Sequence, residues 1–360
     1  MRILLDNIIF SLQRAGGISA YWSELACGLA ASGHELLCIE AGRCRNNLFR
    51  GQWGDVGGTV RAERVPWQLA RYMAAPVKGM VGEIFHSSYY RTPSHRVAPV
   101  IQTVHDFTYE RFWKGAARAI HVAQKRRALL QADAIICVSE STRRDLEIHC
   151  PGVDRARVRV IHHGCSAVFH KLADTEAAGT ARATVAHSPY LLYIGTRCEY
   201  KNFPVAVETA ALSGRHALVL VGGGPLSPTE VQYLDSKLSG RWRHEQAPSQ
   251  ALLNELYNFA DALLYPSSYE GFGMPVLEAM SAGCPVIAVA ASSIPEVAGD
   301  AAILLPRADA GAMRDALRSL ESDDCRRRLV ERGIQNVRRF SWQRCVSETE
   351  DLYRHIATSR

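Results

Sequence analysis

Glu270 and Glu278 stand eight positions apart in the stretch Tyr265-Pro-Ser-Ser-Tyr-Glu-Gly-Phe-Gly-Met-Pro-Val-Leu-Glu-Ala-Met280. The apolar run that ends at Tyr265 reads as a strand, and the segment from Pro275 reads as a helix with proline in its first turn. Gly271 and Gly273 let backbone N–H groups of the intervening loop approach a ligand closely. The new helix aims the positive end of its dipole at the same place, so the junction suits a phosphate or a polar ring. A carboxylate accepts hydrogen bonds from vicinal hydroxyls, so the pair suits a sugar and a ribose. A plain strand–helix turn with a helix-stabilising glutamate would account for Glu278 but not for the whole string.

Four other segments carry candidate chemistry. In Tyr193-Ile-Gly-Thr-Arg-Cys-Glu-Tyr-Lys-Asn-Phe203, a strand runs into a loop with Arg197 and Lys201. Two cations near a helix start can neutralise a diphosphate, on which charge grows as it departs; a solvated basic loop is the alternative. Gly16-Gly17 gives a flexible backbone before a helix, without the G-x-G-x-x-G pattern of a dinucleotide site. In Gln102-Thr-Val-His-Asp-Phe107, His105 stands at a strand's carboxyl end, able to hydrogen-bond a sugar hydroxyl or to serve as a structural histidine. Asp106 is placed to orient it or to cap a turn. Val221-Gly-Gly-Gly-Pro225 is a further glycine cluster at a strand end, readable as a turn.

The elements that must hold these residues alternate along the chain. Candidate strands are Ile3–Leu5, Leu36–Ile39, Glu83–His86, Val100–Thr103, Ala134–Val138 and Val158–Ile161. After a break come Tyr190–Ile194, Ala217–Val221, Ala262–Tyr265, Val286–Val289 and Ala302–Leu304. Helical stretches lie between them, among them Ile18–Ala31, Ala116–Gln131, Pro248–Ala260 and Pro275–Ala282. Such alternation predicts α/β architecture with parallel sheets and helices on both faces. The polar, Ala/Thr-rich stretch 167–188 is the expected linker. It separates an N-terminal Rossmann-like domain, 1–166, from a C-terminal Rossmann-like domain, 189–342. Residues 343–360 form a last helix. The ligand is expected in a cleft where the strands' carboxyl ends face each other.

The chain has 360 residues, enough for two domains, and no apolar run long enough to span a bilayer. Its start, with Asp6 inside the apolar stretch, reads as a first strand rather than a signal peptide. The ten cysteines are scattered singly, with no C-x-x-C pair. This predicts reduced, mostly buried thiols and no structural zinc. Residues 1–165 carry 22 Lys and Arg against 14 Asp and Glu, whereas the remainder carries 20 against 22. The expected place is the cytoplasm. There the basic half, with the mixed basic and aromatic segment Arg111–Arg127, offers contact with an anionic membrane or a lipid diphosphate. Solubilising charge explains the same imbalance. No nucleic-acid-binding module is recognisable.

The string E-G-F-G-M-P-V-L-E-A-M-S-A-G-C-P-V resembles the Glu-x7-Glu signature of retaining glycosyltransferases of family 4. Ala132–Leu146 is similar to that family's last N-domain strand and helix. Ile161-His-His-Gly-Cys-Ser-Ala-Val-Phe169 resembles its N-G-V-D-x-x-x-F segment, departing at His163, Cys165 and Ser166. Phe340-Ser-Trp342 resembles the start of a C-terminal helix that crosses back to the N-domain. The resemblance spans nearly the whole chain. It implies a GT-B fold and transfer of a hexose from a nucleotide-sugar donor to a glycan or lipid-linked glycan. The form of the 193–203 segment looks most like bacterial mannosyltransferases of O-antigen and polysaccharide assembly, which implies a GDP-activated mannose-type donor. By the same resemblance His105, Arg197, Lys201 and Glu270 are the catalytic set. Gly16, Gly17, Gly271, Phe272, Gly273, Met274, Leu277 and Glu278 are the donor-binding set. No D-x-D occurs, so neither a bridging metal nor any other cofactor is expected. A UDP-sugar-dependent transferase and a sugar-nucleotide epimerase of the same architecture are the alternatives.

Overall fold

The structure is a computed structural model that describes residues 1–42, 44–53, 58–173 and 189–358. Most of the expected linker, residues 174–188, lies outside the described residues. The chain divides into two compact units: Met1–Gly164 with Trp342–Arg360, and Cys165–Ser341.

The first unit is built on a seven-stranded parallel sheet. Its strands are β1 (Arg2–Asp6), β2 (Glu35–Ala41), β3 (Gly58–Glu63), β4 (Ile84–Ser87), β5 (Val100–Val104), β6 (Ala134–Cys137) and β7 (Val158–Val160), in the order β3-β2-β1-β4-β5-β6-β7. The central strands are buried on both faces: β6 is wholly apolar, while β4 and β5 also bury His86, Ser87, Gln102 and Thr103. Strand order reverses between β1 and β4, and the crevice beyond their carboxyl ends is where such a sheet takes a ligand.

The second unit repeats the plan with six strands: β8 (Tyr190–Ile194), β9 (Ala217–Val221), β10 (Trp242–Glu245), β11 (Ala262–Tyr265), β12 (Val286–Val289) and β13 (Ile303–Leu305). Their order is β10-β9-β8-β11-β12-β13, all parallel, with the reversal between β8 and β11. Leu191, Leu218, Leu264 and Ile287 lie in its core with Ala206, Ala210 and Met313 from the covering helices.

The helix Trp342–Thr358 belongs to the first unit although it ends the chain. It packs on the helix Gly17–Ala31. A side chain at Gly28 would stand 2.4 Å from Val346, so only glycine allows this approach. Tyr353 Oη bonds the Nδ1 edge of His86, and Trp342, Cys345, Val346, Leu352 and Tyr353 are buried. The expected return of the last helix onto the N-terminal fold is therefore present.

Candidate active site

β11 ends at Tyr265 and, after a loop of eight residues, the helix Met274–Ser281 begins with Pro275 in its first turn. Gly273 caps the helix at φ +106°, a conformation side chains rarely adopt. A Cβ there would also meet Ile294 at 2.7 Å. The loop between is tied down on both sides. Glu270 N donates to Ser292 Oγ at 2.7 Å, and Ser293 Oγ donates to the carbonyls of Glu270 and Phe272 at 3.0 and 2.8 Å. On the other side Asn202 Nδ2 donates to Pro266 O, and Ser268 N to Tyr200 O, both at 2.8 Å. Leu277 is buried under the helix, and Met274 is partly exposed at its start. Sequence reasoning missed Ser292, Ser293 and Asn202, because their role appears only once three distant loops meet.

The same ties bring Lys201 to Glu270. Lys201 Nζ lies 2.6 Å from Glu270 Oε1, and both side chains are nearly nine-tenths buried. Lys201 also sits over the Tyr265 ring, 5.5 Å from its centroid. Glu278 accepts a hydrogen bond from Tyr257 Oη at 2.8 Å. Burial pushes its carboxyl up to about 7, and the Tyr257 hydroxyl works in the other direction. Burial also raises the Tyr265 phenol, helped by the charges of Glu270 and Glu278. Tyr257, Tyr265 and the two carboxylates therefore form one cluster at the carboxyl edge of β11.

Arg197 is placed differently. Its Nε donates to Glu230 at 2.6 Å, one terminal nitrogen to Gly222 O at 3.3 Å, and the other to Gly224 O and Pro225 O at 3.2 and 2.8 Å. The guanidinium thus fastens the glycine loop after β9, where Gly222, Gly223 and Gly224 all have left-handed φ. A side chain at Gly223 would stand 2.3 Å from that guanidinium. Arg197 reaches a diphosphate only by leaving some of these partners.

In the first unit His105 follows β5 and is 7% exposed, with neither ring nitrogen bonded to a described residue. Burial lowers its pKa to about 3, with His86 and Lys125 adding to the effect, so the ring is neutral. Tyr21 meets it edge-on at 5.1 Å and stacks on His163 at 4.7 Å. A neutral, buried imidazole with no partner among the described residues is a group that a ligand hydroxyl can satisfy. Asp106 instead caps a turn, accepting from Thr108 N at 2.9 Å. Gly16 and Gly17 open the helix Gly17–Ala31, and no side chain caps that end. His86, overlooked in the sequence, is buried between Tyr353 and Thr103, with Nε2 2.9 Å from Thr103 Oγ1.

Two doubly wound parallel sheets in succession, with a last helix returned to the first, define the GT-B fold. Solved structures of this fold match along the whole chain. Sucrose-phosphate synthase from Thermosynechococcus elongatus is 19% identical, with each chain covered completely and a TM-score of 0.75. Anabaena HepE, in complex with UDP-glucose, is 15% identical, with 98% of each chain covered and a TM-score of 0.73. Residues 15–167 match Glycosyltransferase Family 4 and residues 180–339 match Glycosyl transferases group 1. The chain belongs to the glycosyltransferase family that joins these two domains, and it is a hexosyltransferase enzyme. Among its relatives is O-antigen chain mannosyltransferase B of Escherichia coli, 29% identical over 283 residues, which covers 75% of this chain and 74% of that one.

Proposed function

We propose that the protein transfers a mannose-type hexose from a GDP-sugar, with retention of anomeric configuration, to a saccharide or lipid-linked saccharide of a cell-surface polysaccharide. The Lys201–Glu270 pair at the mouth of β8 and β11 carries the site assignment. The likeness to an O-antigen mannosyltransferase supports the choice of donor. In this reading Lys201 leaves Glu270 when the donor enters and neutralises the departing diphosphate. Glu270 and the Gly271–Met274 backbone then take hydroxyls of the sugar, and Glu278 takes the ribose. Arg197 acts chiefly by holding the Gly222–Gly224 loop in shape. In the first unit, His105 offers its neutral ring to a hydroxyl of a ligand bound there. No carboxylate serves as a covalent nucleophile: the leaving phosphate itself takes the proton of the incoming hydroxyl on the same face, so catalysis is positioning and charge stabilisation.

Among the described residues no helix is long and apolar enough to cross a membrane. The outward face of the helix Gly115–Gln131 exposes Ile120 and Leu130 beside Arg126 and Arg127. We assign this face to peripheral contact with anionic lipid. Co-sedimentation with phosphatidylglycerol vesicles that fades as salt rises supports the contact, and equal binding to neutral vesicles rejects it.

Calorimetric titration with GDP, UDP and ADP, in the presence of a chelator, tests the donor. Saturable binding of GDP alone is expected. Preference for UDP moves the donor to a UDP-sugar, and a strict need for added divalent metal overturns the metal-free mechanism.

A further inference from the structure

Beyond β4 and β5, on the carboxyl side of the first sheet, aromatic side chains from four separate segments meet. Trp113 lies nearly parallel to Tyr109, with centroids 5.2 Å apart and planes 16° apart. Tyr109 stacks in turn on His121 at 3.9 Å. His121 touches Tyr89 and Tyr90 at 5.6 and 5.8 Å. Arg71 lies over Tyr89 at 5.6 Å and over Tyr72 at 4.9 Å. Tyr90 holds φ +53°, a strained setting for a tyrosine, and such strain gathers at working sites.

A hydrophobic core would explain rings packed together, but two features point elsewhere. Trp113 and Tyr72 are each 52% exposed, so the row of rings opens to solvent at both ends. Three polar atoms inside the cluster are sealed from water without a partner among the described residues: His121 Nδ1, Gln124 Oε1 and Arg71 Nε. His121 itself is only 5% exposed. Buried polar atoms are costly to leave unmade. Their types are informative: Arg71 Nε can only donate, Gln124 Oε1 can only accept, and His121 Nδ1 does either according to tautomer. Burial lowers the His121 pKa to about 4, so the ring is neutral and keeps that choice. An anion would call for donors alone, and a lipid chain would leave all three unmet. Hydroxyl groups, each donor and acceptor at once, satisfy the whole set. The apolar C–H face of a pyranose, laid on the exposed Trp113, would direct its hydroxyls to the ring's edge.

We propose that Trp113, Tyr109, His121, Gln124 and Arg71 form a saccharide-binding subsite for the acceptor glycan. The proposal rests on the reading of the acceptor as a saccharide. The subsite continues directly from the chain segment that carries His105, because Asp106, its neighbour, lies close enough to bias both His121 and Tyr89.

The test uses the full-length protein labelled with 5-fluorotryptophan, with the Trp113 line assigned by Trp113→Phe. Methyl α-mannopyranoside and a short α-mannan oligosaccharide are titrated while the fluorine spectrum is recorded. A saturable shift of the Trp113 line is expected, with tighter binding of the oligosaccharide. Tyr109→Ala and Gln124→Leu are expected to weaken that binding by about tenfold or more, roughly the loss of one good contact. Circular dichroism and GDP binding report whether each variant has folded. GDP binding without any saccharide-induced shift of Trp113 overturns the subsite and leaves the transferase reading standing. A shift in a protein that binds no nucleoside diphosphate keeps the subsite and overturns the donor reading. A Trp113 line that moves only with phosphatidylglycerol vesicles overturns the subsite and assigns these rings to lipid.

Discussion

If Glu278 takes the ribose as proposed, its charge state sets nucleotide affinity directly. Its carboxyl is raised to about 7 by burial, so ionising it costs the folded protein. That cost grows as pH climbs from the ordinary glutamate range to about 7, and below that range it vanishes. A ribose donates two hydroxyls and needs the ionised form as acceptor, so the nucleotide selects the carboxylate. Nucleotide affinity is therefore expected to weaken as pH falls below about 7. Binding at pH 6.5 should release a proton, which calorimetry in two buffers of different ionisation enthalpy measures. Glu278→Gln should flatten the profile. Proton-neutral binding at that pH rejects the ribose role. Lys201, Glu270 and Glu278 stand out as candidates in the sequence because they follow strand ends through glycine-bearing loops, Glu278 about one turn into the next helix. Tyr257 and Ser293 were not, because each reaches the site from a helix or loop whose own sequence is ordinary.

Among the elements, legibility follows burial. The strands β8, β9, β11 and β12 match their expected bounds residue for residue, since each is a compact apolar run buried on both faces. β4 and β13 each lie one residue further along than the pattern suggested, because Glu83 and Ala302 are strand-compatible in sequence but fall before the ladder begins. β3 and β10 had no sequence signal. Gly58–Glu63 and Trp242–Glu245 are outer strands, each paired on one side only, and neither buries a residue completely. A strand that pairs by backbone alone leaves little trace in side-chain hydrophobicity. The Arg197 contacts belong to the same lesson. Its loop makes Arg197 a candidate phosphate ligand, and only the structure adds that it meets carbonyls of a glycine turn 25 residues away.

For the molecule as a whole, the order of elements makes the first unit discontinuous: its sheet is complete by Val160, yet the helix Trp342–Thr358 joins it only after the whole second unit. The helix Trp342–Thr358 buries Trp342, Cys345, Val346, Leu352 and Tyr353. At about 1.5–3 kcal/mol for each large apolar side chain, their burial is worth on the order of 10 kcal/mol. That rivals the whole stability of a domain, about 5–15 kcal/mol. The helix also fills the hydrogen bond at His86 Nδ1, and without it that buried nitrogen loses its Tyr353 partner. A chain ending at Ser341 should therefore fail to hold the first unit folded while the second, which includes no residue beyond Ser341, keeps its structure. Hydrogen exchange resolves the two: amides of β1, β4 and β5 should lose protection, and those of β8, β11 and β12 should keep it. Restoring the missing segment as a separate peptide should recover protection in the first unit in proportion to its occupancy. Full protection of β1, β4 and β5 in the truncated chain would mean that the sheet is self-sufficient and that the returning helix serves something other than stability.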